Sequence, residues 1–92
     1  MSETGLKNEV KAYLRKTYGK KCWFYKTNDR FRVGIPDLLL CLEGRLIAIE
    51  LKFGNNKATP MQLKTLRDIK KSGGLTGVCW SLEEVKEVIN GS

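Results

Sequence analysis

The order of local patterns predicts an α/β sandwich in which a mixed sheet is flanked by helices, with elements in the order α-β-β-β-α-β-α. Three observations carry that expectation. Two apolar runs meet at Glu43-Gly44, a two-residue turn with glycine second, as in a hairpin. Thr59 with Gln62, and Ser81 with Glu84, each form a capping-box signature ahead of a helical pattern. Between those helices, Thr76-Gly77-Val78-Cys79-Trp80 reads as a short strand.

Taken in order, Leu6, Val10, Tyr13, Leu14 and Tyr18 recur at helical spacing, with Ser2 or Thr4 as cap and Gly19 as the stop. Residues 22–27 are aromatic-rich and strand-like. A polar, basic loop follows, with Phe31 between Arg30 and Arg32, and leads into Gly34-Ile35-Pro36-Asp37. Counting back from the Glu43-Gly44 turn, Leu42 pairs with Arg45, Cys41 with Leu46 and Leu39 with Ala48. Asp37 then falls opposite Glu50, and Lys52 shares their face. Pro36 cannot donate to a ladder, so this strand should begin at Asp37 or be bulged there. Residues 53–58 form a flexible, basic connection. Thr59 caps the next helix, with Pro60 at its first position and Leu63, Leu66 and Ile69 along one side, and Gly73-Gly74 stops it. The last helix carries Leu82, Val85, Val88 and Ile89 and ends at Gly91. No repeat, linker or low-complexity run interrupts the chain, which reads as one domain over 1–92.

Two carboxylates facing each other at the end of apolar strands repel unless something lies between them, which invites a divalent cation. Magnesium, a hard ion, takes one or two protein carboxylates together with substrate phosphate oxygens, so Asp37 and Glu50 suffice, and the Leu51 backbone carbonyl can join them. Manganese suits the same oxygen donors. Such an ion acidifies water and polarises a phosphodiester, while Lys52 orients the attacking water or stabilises charge developing on phosphorus. The competing account is a turn aspartate and a solvated strand end. It leaves the in-register placement of two acids on apolar strands unexplained.

Gly-Ile-Pro-Asp, a hairpin and then Glu50-Leu51-Lys52 resemble the PD-(D/E)xK nuclease superfamily, and within it the short virus-type replication-repair nuclease (VRR-Nuc) domain. The resemblance covers most of the chain and implies a restriction-endonuclease-like core. It also implies a metal-shell role for Glu9, on the first helix, and a catalytic role for Gln62. Gln62 is equally accounted for by its capping box, and Glu9 by the helix dipole. Small stand-alone members of this type are associated with branched DNA and are dimeric. The resemblance therefore implies a homodimeric, Holliday-junction resolvase-like endodeoxyribonuclease using Mg²⁺ or Mn²⁺, of DNA-repair or phage context. A non-catalytic nucleic-acid-binding module, or a nuclease directed at RNA or at a specific DNA sequence, are the alternatives.

Composition agrees. The formal charge is +7, and residues 1–32 hold nine Lys and Arg against three acids. A basic front half suits a phosphate backbone, with Lys26, Arg30, Arg32 and Lys57 as candidate DNA contacts. Lysines near helix C-termini have a local explanation in the helix dipole. The chain has no histidine, which excludes Cys/His zinc sites and histidine-activated nucleophiles. Its three cysteines form no CxxC and lie in apolar runs, as expected in a reducing, cytoplasmic compartment; the resemblance to a compact, insert-free nuclease implies a bacterial or phage-infected cell. No apolar signal region or membrane-length stretch is present.

Overall fold

Every predicted element forms in the computed structural model, which describes residues 2–27 and 33–91. Helix α1 spans Glu3–Tyr18, and Ser2 rather than Thr4 caps it, its hydroxyl accepting the Gly5 N–H at 3.0 Å. Gly19 closes this helix with a positive φ of 56°, and a 3₁₀ turn, Gly19–Lys21, which the sequence did not signal, leads into strand β1, Cys22–Lys26. Strands β2, Leu38–Leu42, and β3, Arg45–Leu51, form the hairpin. Helix α2 spans Pro60–Lys71, strand β4 Leu75–Cys79 and helix α3 Leu82–Ile89.

The strands lie in the order β1-β2-β3-β4, antiparallel except for the parallel β3–β4 pair. The sheet is mixed because β3 reaches β4 through the α2 crossover, whereas the two-residue turn permits only an antiparallel β2–β3 pair. Glu43 (φ 54°) and Gly44 (φ 77°) both take positive φ, the type I′ geometry that matches strand twist. That turn sets the predicted register: Leu42 opposite Arg45, Leu39 opposite Ala48, Leu38 opposite Ile49. Pro36 starts no bulge. The strand begins at Leu38, one residue later than expected, with pairing unbroken.

Alternation along the strands sorts the molecule into layers. Leu38, Leu40, Ile47, Ile49 and Leu51 project to one face and form the core with Leu6, Val10 and Leu14 of α1 and Val85 and Ile89 of α3. The opposite parity, including Ala48 and Glu50, faces the side covered by α2, which packs on β3 and β4. The Asp37–Glu50 row therefore ends on the α2 side of the sheet, beyond the main core.

One local expectation differs. The Ser81 hydroxyl accepts the Glu84 N–H at 3.2 Å, but the Glu84 carboxylate accepts from the Trp80 N–H at 3.0 Å, one residue before the cap. The box at α3 is shifted, and it fixes the strand-to-helix corner rather than the cap residue itself.

Candidate active site

Asp37 is held by the ends of three strands. Its carbonyl accepts the Thr27 N–H at 2.8 Å, which continues the β1–β2 ladder, and the Thr27 hydroxyl donates to the Pro36 carbonyl at 2.6 Å. The Asp37 Oδ2 accepts the Leu51 N–H at 3.0 Å. Continuing the observed register places Asp37 opposite Glu50 and Pro36 opposite Leu51. In an antiparallel ladder a residue's N–H and C=O point to the same neighbour. The Leu51 carbonyl therefore points toward the Asp37 side, and Pro36 has no N–H to offer it. Proline in this motif thus turns a ladder carbonyl into an available oxygen donor.

Glu50 is 1% exposed. Its Oε1 accepts from Gln62 Nε2 at 3.2 Å and lies 3.6 Å from Lys52 Nζ. Its Oε2, buried, has no hydrogen-bond partner among the described residues. Burial is the main cause that pushes the Glu50 carboxyl up to about 8; the neighbouring Asp37 carboxylate adds to it, and Lys52 partly opposes it. A buried carboxylate oxygen with no donor, facing a second carboxylate, is costly as it stands and suited to a cation. All the candidate donors are oxygens, the chemistry of a hard divalent ion.

Gln62 completes a helix cap and also reaches Glu50. Its Oε1 accepts the Thr59 N–H at 2.9 Å and its backbone N–H donates to Thr59 Oγ1 at 3.2 Å, completing the capping box. The cap holds the oxygen end of the amide, which leaves Nε2 to donate to Glu50. The first turn of α2 is also pressed onto the Gly34-Ile35-Pro36 segment. A Cβ at Gly34, where φ is +88°, would lie 2.8 Å from the Met61 carbonyl.

The remaining predicted residues are more scattered. Glu9 is exposed on α1, the helix packed against the other face of the sheet. No group of three or more His, Cys, Asp or Glu side chains is close enough to hold an ion among the described residues, so Glu9 is not gathered with Asp37 and Glu50. Lys26 is exposed at the end of β1, and Lys57 is exposed in the connection after β3. Arg30 and Arg32, with Phe31, lie outside the described residues. Two contributors escaped the sequence reading. Thr27 could have been found by extending the row across β1, since it falls opposite Asp37. Trp80, whose Nε1–H donates to the Asn56 carbonyl at 2.9 Å and steadies the connection carrying Lys57, had no local signal.

A four-stranded mixed sheet with paired carboxylates and a lysine at its strand ends defines a nuclease-type core of restriction-endonuclease-like fold. The VRR-NUC domain family model matches residues 4–82, and the chain belongs to that family. A solved structure described as a VRR-NUC domain is similar over 98% of this chain and 97% of its own, at 27% identity and a TM-score of 0.70. A search of curated proteins found no match.

Proposed function

We propose that this nuclease-type domain is a Mg²⁺- or Mn²⁺-dependent endodeoxyribonuclease that hydrolyses phosphodiester bonds directly, without a covalent intermediate. The observation that carries the proposal is the orphaned, buried Glu50 Oε2 opposite Asp37. Asp37, Glu50 and the Leu51 carbonyl would hold the ion. Bound there, a divalent ion supplies Lewis-acid activation of the phosphodiester and of water. Lys52, within 3.6 Å of Glu50, holds its ammonium where it can orient a water or face negative charge growing on phosphorus. Gln62 fixes the Glu50 carboxylate against rotation. Lys26 and Lys57, with Arg30 and Arg32, are proposed to grip the DNA backbone.

Branched DNA is the proposed substrate and a homodimer the proposed working form, a pair of sites cutting opposed strands of a four-way junction. Family resemblance supports this reading, as does the size of the chain, for which a partner would supplement a small core. The test is cleavage of a labelled four-way junction beside linear duplex of equal length, in Mg²⁺, Mn²⁺ and EDTA, by wild type and Asp37→Asn. Metal-dependent, junction-selective cutting lost in the variant is expected. Preferential cutting of RNA, or of a fixed site in linear DNA, would replace the substrate assignment. No cutting of any substrate would replace the enzyme reading with that of a binding module.

A further inference from the structure

Strand β1 carries two exposed aromatic rings on the face of the sheet that holds the carboxylate site. Trp23 is 61% and Tyr25 56% exposed, and their rings are parallel within 12°, with centroids 6.2 Å apart. The alternate residues Cys22 and Phe24 turn to the other face and pack with the core. Helix α2 packs on β3 and β4, which leaves the β1 rings open to solvent. Register ties them to the site. Tyr25 lies opposite Leu39, and two residues further on Thr27 donates its N–H to the Asp37 carbonyl at 2.8 Å. Trp23, Tyr25 and Thr27 thus follow one another along one face. At roughly 3.3 Å per residue, Tyr25 stands about 7 Å and Trp23 about 13 Å along the strand from the level of Asp37.

We propose that Trp23 and Tyr25 form a stacking platform for unpaired bases of the DNA strand being cut. A base can cover an aromatic ring only with a face that is free of its own helical stack. Spacing agrees with a strand drawn out of the duplex, since 6.2 Å is nearly twice the ~3.4 Å between successive bases of a paired strand. Charge selects the occupant. Lys20 and Lys21 precede the aromatic run and Lys26 follows it, all three are exposed, and residues 20–27 contain no acid. A phosphate backbone following β1 therefore meets cations at both ends of the stacked rings. A copy of this chain laid there would bring the same lysines against them. The platform deepens the nuclease reading above and rests on it only for its place beside a cut. It puts selectivity for branched DNA in the unpaired bases that a branch point exposes and a linear duplex lacks.

The test is binding in EDTA, where nothing is cut. A labelled duplex with a single-stranded thymidine tail, the same duplex with an abasic tail of equal length, and the blunt duplex are titrated with three proteins. These are wild type, Trp23→Ala with Tyr25→Ala, and Trp23→Phe with Tyr25→Phe. Wild type should bind the thymidine tail at least about tenfold more tightly than the abasic one, and only the thymidine tail should quench tryptophan emission. The alanine pair should lose that preference and the phenylalanine pair keep it, with blunt-duplex affinity and melting temperature equal in all three, because neither side chain belongs to the core. Wild type that binds both tails alike overturns the proposal. An alanine pair weakened equally on all three DNAs does so too, since the loss would then be of general affinity. So does an alanine pair that keeps the preference but loses self-association, which would make the face a contact between copies of the chain. Tail preference without cleavage in Mg²⁺ would count against the nuclease reading alone, and cleavage without tail preference against the platform alone.

Discussion

At Glu50, burial and a facing carboxylate oppose ionisation while Lys52 favours it, and the pH dependence of stability follows from that balance. The carboxyl is raised from an ordinary 4.5 to about 8. A raised pKa means that the folded state holds a proton the unfolded chain releases. Its stabilising contribution is therefore complete below about 4.5 and is lost as pH rises through about 8. In EDTA the melting temperature should fall across that window, and Glu50→Gln should flatten the fall. Added Mg²⁺ should raise the melting temperature most above about 8, where no proton competes for Glu50. Calorimetric scans over pH, with and without Mg²⁺, check both statements. Gln62 offers a second residue-scale separation. Gln62→Ala should cost roughly 1 kcal/mol in denaturant unfolding through loss of the reciprocal cap, and slow cleavage as well. Gln62→Glu restores the cap acceptor but removes the donor to Glu50, so stability should recover more than cleavage does.

Among elements, the β2–β3 hairpin was the most legible in the sequence, because Glu43-Gly44 permits one turn geometry and a single register follows from it. The facing of Asp37 and Glu50, and the place of Lys52 beside them, could be counted from the sequence. The double use of Gln62 was half legible. Spacing showed the cap, whereas the free Nε2 depended on how α2 docks. The shifted contact of Glu84 was hidden because spacing specifies an acid at the third helical position and not which of two adjacent N–H groups it meets. The seat of the Gly-Ile-Pro-Asp segment on α2 was hidden for a similar reason, since it joins Gly34 to Met61 across distant sequence. Gly34→Ala tests that seat. The positive φ and the 2.8 Å approach to the Met61 carbonyl should cost about 1–2 kcal/mol or more and displace Asp37. Unfolding curves and cleavage rates should both fall; an unchanged rate would mean that the seat does not position the aspartate.

For the whole molecule, the excess of positive charge lies mainly in the front half, where residues 1–32 hold nine Lys and Arg against three acids, while on α2 Lys64 is neutralised by Asp68 at 2.9 Å. Composition alone revealed the first of these and was silent on the second, because neutralisation depends on which side chains the fold brings into contact. Binding of DNA should weaken steeply with salt, log K falling linearly with log salt concentration. Lys57→Ala should reduce that slope by about one counterion if the lysine contacts phosphate, and leave it unchanged otherwise. No helix among the described residues is long and apolar enough to cross a membrane.

A cation-dependent hydrolytic site formed by Asp37 and Glu50 should show an uncommon pairing of effects in one variant. Above about 8 and without metal, Glu50→Gln removes the buried like charge while keeping an acceptor for Gln62, so it should melt higher than wild type. The direct measurement is its single-turnover DNA cleavage rate in Mg²⁺, on protein shown to be folded by that melt. A loss of at least ~10²-fold relative to wild type is expected. A well-folded Glu50→Gln that cuts at the wild-type rate would contradict it.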